Sequence, residues 1–382
     1  MEKVKLGLIG AGNMGAYHAN NIKTIDEIEL IAVCDGDKQK AEQLAEKYNC
    51  PAFENHQDLL KANICDAVLI CTPHYSHTQI GIDALNAGLH VLVEKPISVH
   101  KADCERLIGA HKNDKQVFAA MFNQRTNPCY RKIKQLIDTG EVGRLLRVSW
   151  IITDWFRTQQ YYDGGGWRAT WAREGGGVLL NQCPHQLDLL QWFFGMPNRV
   201  SAHCGVGKYH NIEVEDEVTA YFEFPNGATG VFITSTGEAP GTNRLEITGT
   251  RGKIIVENNQ IRFTRNEVPC DEFCRTSEKA FAFPDVWDVT FPISGTGGQH
   301  LDVLKNFAAA ILRGEKLLAP AIEGIHSVEL GNAMLLSSFK GTAVDLPLDG
   351  AEYERLLQKL VKESVFVKQV KETNAAGFAQ SF

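Results

Sequence analysis

The sequence predicts an α/β N-terminal domain with a doubly wound parallel sheet, joined to an α+β C-terminal domain with a large, mainly antiparallel open sheet. Two observations predict this. Short apolar runs alternate with amphipathic helical stretches as far as about Phe122, the pattern of βαβ units. Beyond that point strands of alternating polarity follow one another. Turn signals such as Pro225-Asn226-Gly227 and Thr250-Arg251-Gly252 separate them, and connections this short favour antiparallel pairing. The chain has 382 residues, enough for two domains with a large core. The expected partition is 1–124, 125–350, and a helical extension with a loose tail over 351–382.

In the first domain, the apolar run from Val4 to Ile9 reads as a buried strand. It enters Gly10-Ala11-Gly12-Asn13-Met14-Gly15 and then a helix to about Lys23. A second strand, Leu30 to Cys34, ends at Asp35. Strand, glycine turn, helix, strand and acid form the dinucleotide-binding fingerprint of a Rossmann domain. Gly10 permits the tight turn, Gly12 leaves room for a pyrophosphate, and Gly15 lets the helix pack close to the strand. The N–H groups of the helix start, from Asn13 and Met14 onward, suit phosphate. Asp35 can accept hydrogen bonds from the adenosine ribose. Helices are then expected over Lys38 to Tyr48, His56 to Lys61, Tyr75 to Asn86 and Lys101 to Lys112. Strands are expected over Ala52-Phe53, Ala67 to Cys71, His90 to Val93 and Val117 to Met121. Ligands of such sheets bind beyond the carboxyl ends of the strands, where Thr72-Pro73-His74 and Glu94-Lys95-Pro96 fall.

The second domain opens with a helix from Asn127 to Thr139. Its expected strands are Arg147 to Thr153, Val200 to Val206, Glu217 to Phe224, Thr229 to Thr234, Arg244 to Thr248, Lys253 to Val256 and Gln260 to Thr264. Helices over Gln186 to Phe194, His300 to Arg313 and Ile322 to Lys340 are expected to cover one face of the sheet, leaving the other for a second subunit. The stretch from Ala351 to Lys371 reads as helical and the chain from Ala375 as a loose tail.

Composition excludes several classes. The net charge of −7, with no block of like charges, argues against nucleic acid or a polybasic membrane surface. No apolar run approaches the length of a membrane span, and the first residues lack a signal-peptide layout. The ten cysteines are scattered without a CxxC pair, which predicts free thiols in a cytoplasmic protein and no metal site.

Two stretches carry chemistry. Lys95 follows a buried strand and lies at the nicotinamide end of a bound cofactor, where an ammonium can stabilise a developing alkoxide. Alternatively it is a surface lysine before a helix-starting proline. The second stretch, Trp167 to Asp188, holds Gly175-Gly176-Gly177 and then Asn181, His185 and Asp188. Asn181 can cap the following helix, placing an exposed His185 at the helix start with Asp188 one turn on. His185 there suits a general base, or is a core histidine bonded to Asp188.

Taken together, the glycine turn, Cys71-Thr72-Pro73-His74-Tyr75-Ser76-His77, Glu94-Lys95-Pro96 and the run from Gly176 through Asn181 to His185 and Asp188 resemble the glucose–fructose oxidoreductase/inositol dehydrogenase/MocA-like (Gfo/Idh/MocA) family. The resemblance spans roughly residues 3 to 348. It implies NAD(P)-dependent oxidation of a CH–OH group, or the reverse reduction, on a cyclic polyol, sugar or sugar derivative. It implies that His185 is the base, that Lys95 holds the oxygen and that Asn181 assists. Thr72, Pro73, His77, Glu94, Lys95 and Gln124 match positions that line the cofactor, and Arg125, Tyr161, Arg168, Trp171 and Asp188 match the substrate side. Many inositol dehydrogenase-like members carry aspartate where this chain has Asn181. That leaves three options: a higher working pH, a reductive direction, or charge supplied by Asp188. Asp35 favours NAD over NADP by repelling a 2′-phosphate, although Lys38 and Lys40 lie nearby. A homodimer or homotetramer through the C-terminal sheet is expected. The rival functions are a redox-neutral NAD-dependent glycosidase or lyase, and a non-catalytic NAD-binding regulator.

Overall fold

The structure, a computed structural model, describes residues 2–371. The first unit runs β1 (Val4–Ile9), α1 (Asn13–Ile22), β2 (Ile28–Cys34), α2 (Lys38–Tyr48), β3 (Ala52–Phe53), α3 (His56–Lys61), β4 (Ala67–Ile70), α4 (His74–Asn86), β5 (His90–Val93), α5 (Lys101–Ala110) and β6 (Phe118–Ala120). The strands form one six-stranded sheet in the order β3-β2-β1-β4-β5-β6, all pairs parallel. Register brings the chemistry to one edge. Ile9 lies opposite Cys34 and Ile70, and Ile70 opposite Val93. The residues that follow these strands are therefore neighbours: the glycine turn, Asp35, Thr72 and Glu94.

A 3-10 turn (Asn123–Thr126) leads to the second unit. This comprises α6 (Pro128–Asp138), β7 (Leu145–Ile152), α7 (Gln159–Asp163), α8 (Val178–Asn181), α9 (Pro184–Phe194), β8 (Arg199–Val206), β9 (Glu215–Glu223), β10 (Thr229–Ser235), β11 (Asn243–Gly249), β12 (Gly252–Glu257), β13 (Gln260–Asn266), α10 (Cys270–Thr276) and β14 (Val286–Phe291). Then come α11 (Gln299–Arg313), α12 (Gly324–Lys340), β15 (Val344–Asp345) and α13 (Gly350–Glu363). The nine-stranded sheet has the order β14-β13-β12-β11-β7-β10-β9-β8-β15. Its pairs are antiparallel except β7 with β10. Trp150, Phe222 and Phe232 on the inner face pack with Leu187 and Leu190 of α9 and Leu330 and Met334 of α12 in one core. The opposite face of β9 exposes Tyr221.

Three expectations change. The helix α11 leaves the second unit and covers the first sheet, packing Val303, Leu304 and Phe307 against Leu6 and Leu8. Each such buried side chain stabilises by about 1.5–3 kcal/mol, which joins the two units firmly. The extension is helical only to Glu363. Residues 364–371 then run along α7, with Lys371 Nζ 2.6 Å from Asp163 and Lys368 Nζ 2.6 Å from the Arg168 carbonyl. The tail from Ala375 lies outside the described residues. The strand β14 was not expected: Val286–Phe291 has strand-forming residues, but as a mostly exposed edge strand it lacks apolar alternation.

Candidate active site

The glycine turn has the geometry its residue types require. Gly10 has φ +106°, and a Cβ there would lie 2.6 Å from the Cys71 carbonyl. A Cβ on Gly15 would lie 1.9 Å from the Gly10 oxygen. Around Gly12, by contrast, a Cβ would meet nothing within 4 Å, so the turn is open where a pyrophosphate would sit. Helix α1 starts at Asn13 without a side-chain cap, leaving the N–H groups of its first turn, Asn13 and Met14 included, facing that space. Asp35 Oδ2 accepts from Ala11 N at 2.7 Å and Oδ1 from Asp37 N at 2.8 Å, holding the carboxylate beside the turn. The Thr72 hydroxyl is buried without a partner, an orphan polar atom at the strand end. These residues fit a dinucleotide. His77 is a brace: its ring nitrogens lie 2.7 Å from the Thr72 carbonyl and 2.8 Å from the Pro96 carbonyl, tying the two strand-end turns together. Pro73 precedes α4 on the exposed rim, and Gln124 lies half-buried in the 3-10 turn.

Glu94 is buried. His18 Nε2 lies 2.6 Å from its Oε1, and Lys95 N donates to Oε2 at 3.1 Å. Burial pushes its carboxyl up, but His18, with help from His300 and Lys95, outweighs this and holds it at about 2. The Lys95–Pro96 peptide is cis. Lys95 Nζ donates to the Asn181 carbonyl at 2.8 Å, so the first sheet's edge meets the turn between α8 and α9. Burial lowers the Lys95 pKa, Arg157 and Arg168 lower it further, and Glu94 and Glu174 oppose them.

His185 lies in the first turn of α9 and is 7 % exposed, not the exposed imidazole expected. Its ring meets Phe122 edge-on with centroids 6.2 Å apart, and Nδ1 is buried without a partner. Burial, then Lys95 and His300, push its pKa well down, so the ring is neutral near pH 7. Asp188 is not its partner. Arg125, 2 % exposed, donates from Nε at 2.7 Å and Nη2 at 2.6 Å to Asp188, and from Nη1 to Glu323 at 2.5 Å. Burial disfavours the Arg125 charge, but Asp188 and Glu323 outweigh it and raise its pKa. Arg125 and Asp188, expected on the substrate side, are thus engaged with each other and lock the 3-10 turn to α9. Asn181 likewise does not cap α9. It closes α8, and its Nδ2 donates to Glu174.

Trp171 is buried in the core, edge-on to Phe339, and its backbone N–H donates to Glu213 at 2.9 Å. It is therefore part of the framework under the loop. Tyr161 lies nearer the expected role: Arg168 lies over its ring at 4.8 Å and Arg157 at 5.3 Å, and its hydroxyl accepts from Gln182 at 3.1 Å. Sequence reasoning missed Glu174, His18, Arg157 and Glu215. Of these, only Glu174 sat inside a stretch already singled out, immediately before the glycines. Glu215 accepts from Gly177 N and Leu179 N at 2.8 and 3.1 Å and so anchors α8. Among the described residues no cluster of three or more His, Cys, Asp or Glu could hold a metal, and no helix is long and apolar enough to cross a membrane.

A dinucleotide cradle on a parallel sheet, with a lysine at its own edge and a histidine brought there by a second domain, is the arrangement of a nicotinamide-dependent oxidoreductase. Residues 4–122 match the oxidoreductase family with an NAD-binding Rossmann fold, and residues 130–255 match the GFO/IDH/MocA C-terminal domain. The chain belongs to the Gfo/Idh/MocA family and is an NAD-dependent dehydrogenase; the expected fold, family, enzyme class and cofactor all stand. It is 26% identical to the myo-inositol 2-dehydrogenase of Thermotoga maritima over 86% of this chain and 95% of that protein. It is 27% identical to the scyllo-inositol 2-dehydrogenase (NAD(+)) of Bacillus subtilis over 92% of this chain and 98% of that one. In structure it resembles the WlbA dehydrogenase of Bordetella pertussis, solved with NADH and UDP-GlcNAcA. The TM-score is 0.77 at 25% identity, over 91% of this chain and 100% of that one.

Proposed function

We propose that the enzyme oxidises a secondary hydroxyl of a cyclic polyol, sugar or sugar derivative, or reduces the corresponding ketone, with His185 as the acid–base group and Lys95 holding the oxygen. The observation that carries this is the 2.8 Å bond from Lys95 Nζ to the Asn181 carbonyl, which joins the two chemistry-bearing stretches across the domain junction. Bound NAD supplies the hydride acceptor or donor. Lys95 keeps further N–H donors for a substrate oxygen and stabilises it as the O–H proton leaves. His185, held neutral by burial and by Lys95, takes that proton; in reduction it returns it. His185 is buried and Lys95 half-buried, which strengthens these interactions.

One observation selects within the substrate class. Arg157 and Arg168 both act on Lys95 and bracket the Tyr161 ring, with Lys368 behind. With Glu94 and Glu174 set against Lys95, the two guanidiniums are the cations left for an anionic sugar derivative, which they favour over a neutral polyol. The outer face of the nine-stranded sheet, where Tyr221 is exposed, supports assembly of two or four copies, which sedimentation would test. The test of function is NADH absorbance on adding NAD⁺ with inositols, aldoses and sugar acids, in the enzyme and in Lys95→Ala and His185→Ala. Activity on one class, lost in both variants while NAD⁺ binding persists, is expected. Activity retained in His185→Ala removes that residue from the acid–base role. Glycoside cleavage without NADH would favour the redox-neutral alternative, and NAD⁺ binding with no turnover would favour a regulator.

A further inference from the structure

We propose that Glu174 is a positioning residue of this site: its carboxylate fixes the amide of Asn181 and supplies, one residue removed, the negative charge that an acid at position 181 would supply directly. The kinetic part of this rests on the dehydrogenase reading above.

Glu174 is 1 % exposed. One oxygen accepts from Asn181 Nδ2 and the other from Ala169 N at 2.5 Å. A carboxylate only accepts, so the Asn181 NH₂ faces Glu174 and its carbonyl oxygen is turned away as an acceptor. The backbone carbonyl of the same residue holds Lys95 Nζ. Glu174, Asn181 and Lys95 therefore form one connected line. The loop cannot relax away from it. A Cβ on Gly175, where φ is +85°, would lie 2.2 Å from Val99 Cγ1, and one on Gly177 would lie 1.9 Å from the Glu215 carbonyl oxygen. The groups facing Glu174 are the cations Lys95, Arg168 and Lys368, the buried carboxyl Glu215, the phenol Tyr162 and, at its backbone carbonyl, the His74 ring at 3.3 Å. Burial raises the Glu174 pKa to about 7 against the pull of Asn181, Ala169, Arg168 and Lys368, so its charge turns on within the working range. A charged group so enclosed is a poor stabiliser of the fold, which points to a role in the reaction.

The test compares the full-length enzyme with Glu174→Gln and with the exchange variant Glu174→Gln/Asn181→Asp. In Glu174→Gln, kcat/KM is expected to fall roughly ten- to a hundredfold, the worth of one hydrogen bond to a charged group. The acid limb of its pH profile near 7 is expected to disappear, because Glu174 is gone and Glu215, the other buried carboxyl raised to about 7, accepts from the backbone of α8 and not from Asn181 or Lys95. The exchange variant is expected to recover most of the rate. A limb that persists in Glu174→Gln, or an exchange variant no faster than the single one, overturns the proposal. An arm independent of turnover is the infrared difference spectrum between about pH 6 and about pH 8. A protonated-carboxyl band is expected in the wild type and diminished in Glu174→Gln. Identical spectra overturn the proposal even if no substrate is found, whereas a lost band in an enzyme with no oxidisable substrate faults the dehydrogenase reading alone.

Discussion

Asp188→Asn separates two assignments of the same carboxylate, to His185 or to Arg125. The change keeps the side chain's shape and removes its charge. In the structure Asp188 is 1 % exposed and takes two short bonds from Arg125, itself packed between the Phe122 and Trp192 rings at 5.8 and 5.4 Å. Breaking a buried pair from one side costs about 3–5 kcal/mol, because the surviving charge stays buried. Here Glu323 still holds Arg125 Nη1, and asparagine can accept one of the two lost bonds. The expected loss is therefore about 2–3 kcal/mol. Urea unfolding at neutral pH would show it as a lower midpoint at unchanged slope. The pH profile of kcat/KM should not move, since Asp188 bonds to neither His185 nor Glu174. A loss below about 1 kcal/mol would refute the buried-pair reasoning. A displaced limb with stability retained would return Asp188 to His185. Arg125→Met/Asp188→Leu should recover much of the loss, because two apolar side chains leave no buried charge unpaired and Glu323, 37 % exposed, turns to water.

Within the glycine turn, Gly12→Ala and Gly15→Ala should fail differently. Gly12 has φ −70° and open space around it, so alanine should leave the thermal midpoint nearly unchanged and weaken NAD⁺ binding by more than about tenfold in titration calorimetry. Gly15→Ala would drive its Cβ into the Gly10 carbonyl and should lower stability by about 1–3 kcal/mol or more. Glu94 is held at about 2 in the fold against an ordinary 4.5, so its contribution of about 3 kcal/mol is present above pH 4.5 and lost as pH falls toward 2. His18→Ala should flatten that part of an acid-unfolding curve. Glu174 has the opposite sign. Its folded pKa is raised to about 7, so folding weakens as pH rises from about 4.5 to 7, and Glu174→Gln should be the more stable protein at about pH 8, by about 1–3 kcal/mol. A lower thermal midpoint in the variant would contradict this.

The parallel sheet was legible because each of its strands is a local apolar run, and the register that aligns Ile9, Cys34, Ile70 and Val93 follows from pairing such runs. Gly10, Gly12 and Gly15 were legible because their spacing directly after a strand is itself the signal, although Gly10 is closed in by Cys71 from another strand end. Partner choice among buried charges was not. Asp188 is three residues from His185 in sequence, yet its partner is Arg125, 63 residues away, and only the packing of the 3-10 turn on α9 decides this. Glu174 stood in plain view before the glycines. Its burial, however, goes with the close approach of Gly175 to Val99 and of Gly177 to Glu215, which no local pattern encodes. The docking of α11 on β1 was likewise hidden, because its apolar stripe does not state which sheet it covers.

The carboxylates around Lys95 divide the electrostatic work by their surroundings. Glu94 has His18 at 2.6 Å and stays ionised to low pH, so one counter-charge to Lys95 is always present. Glu174 has amide partners in place of a close cation, and so its carboxyl rises to about 7 and gives a second counter-charge only above that. Lys95 is thereby best held as an ammonium on the alkaline side of 7. There His185 is neutral as well, pushed down by burial and by Lys95 itself. Both conditions serve removal of a hydroxyl proton. Below 7 the second charge is withdrawn and the line through Asn181 loses its fixed acceptor. On the role proposed for Glu174, the negative charge beside Asn181 comes from the glycine loop. The rate of hydroxyl oxidation should then rise as pH crosses the Glu174 titration.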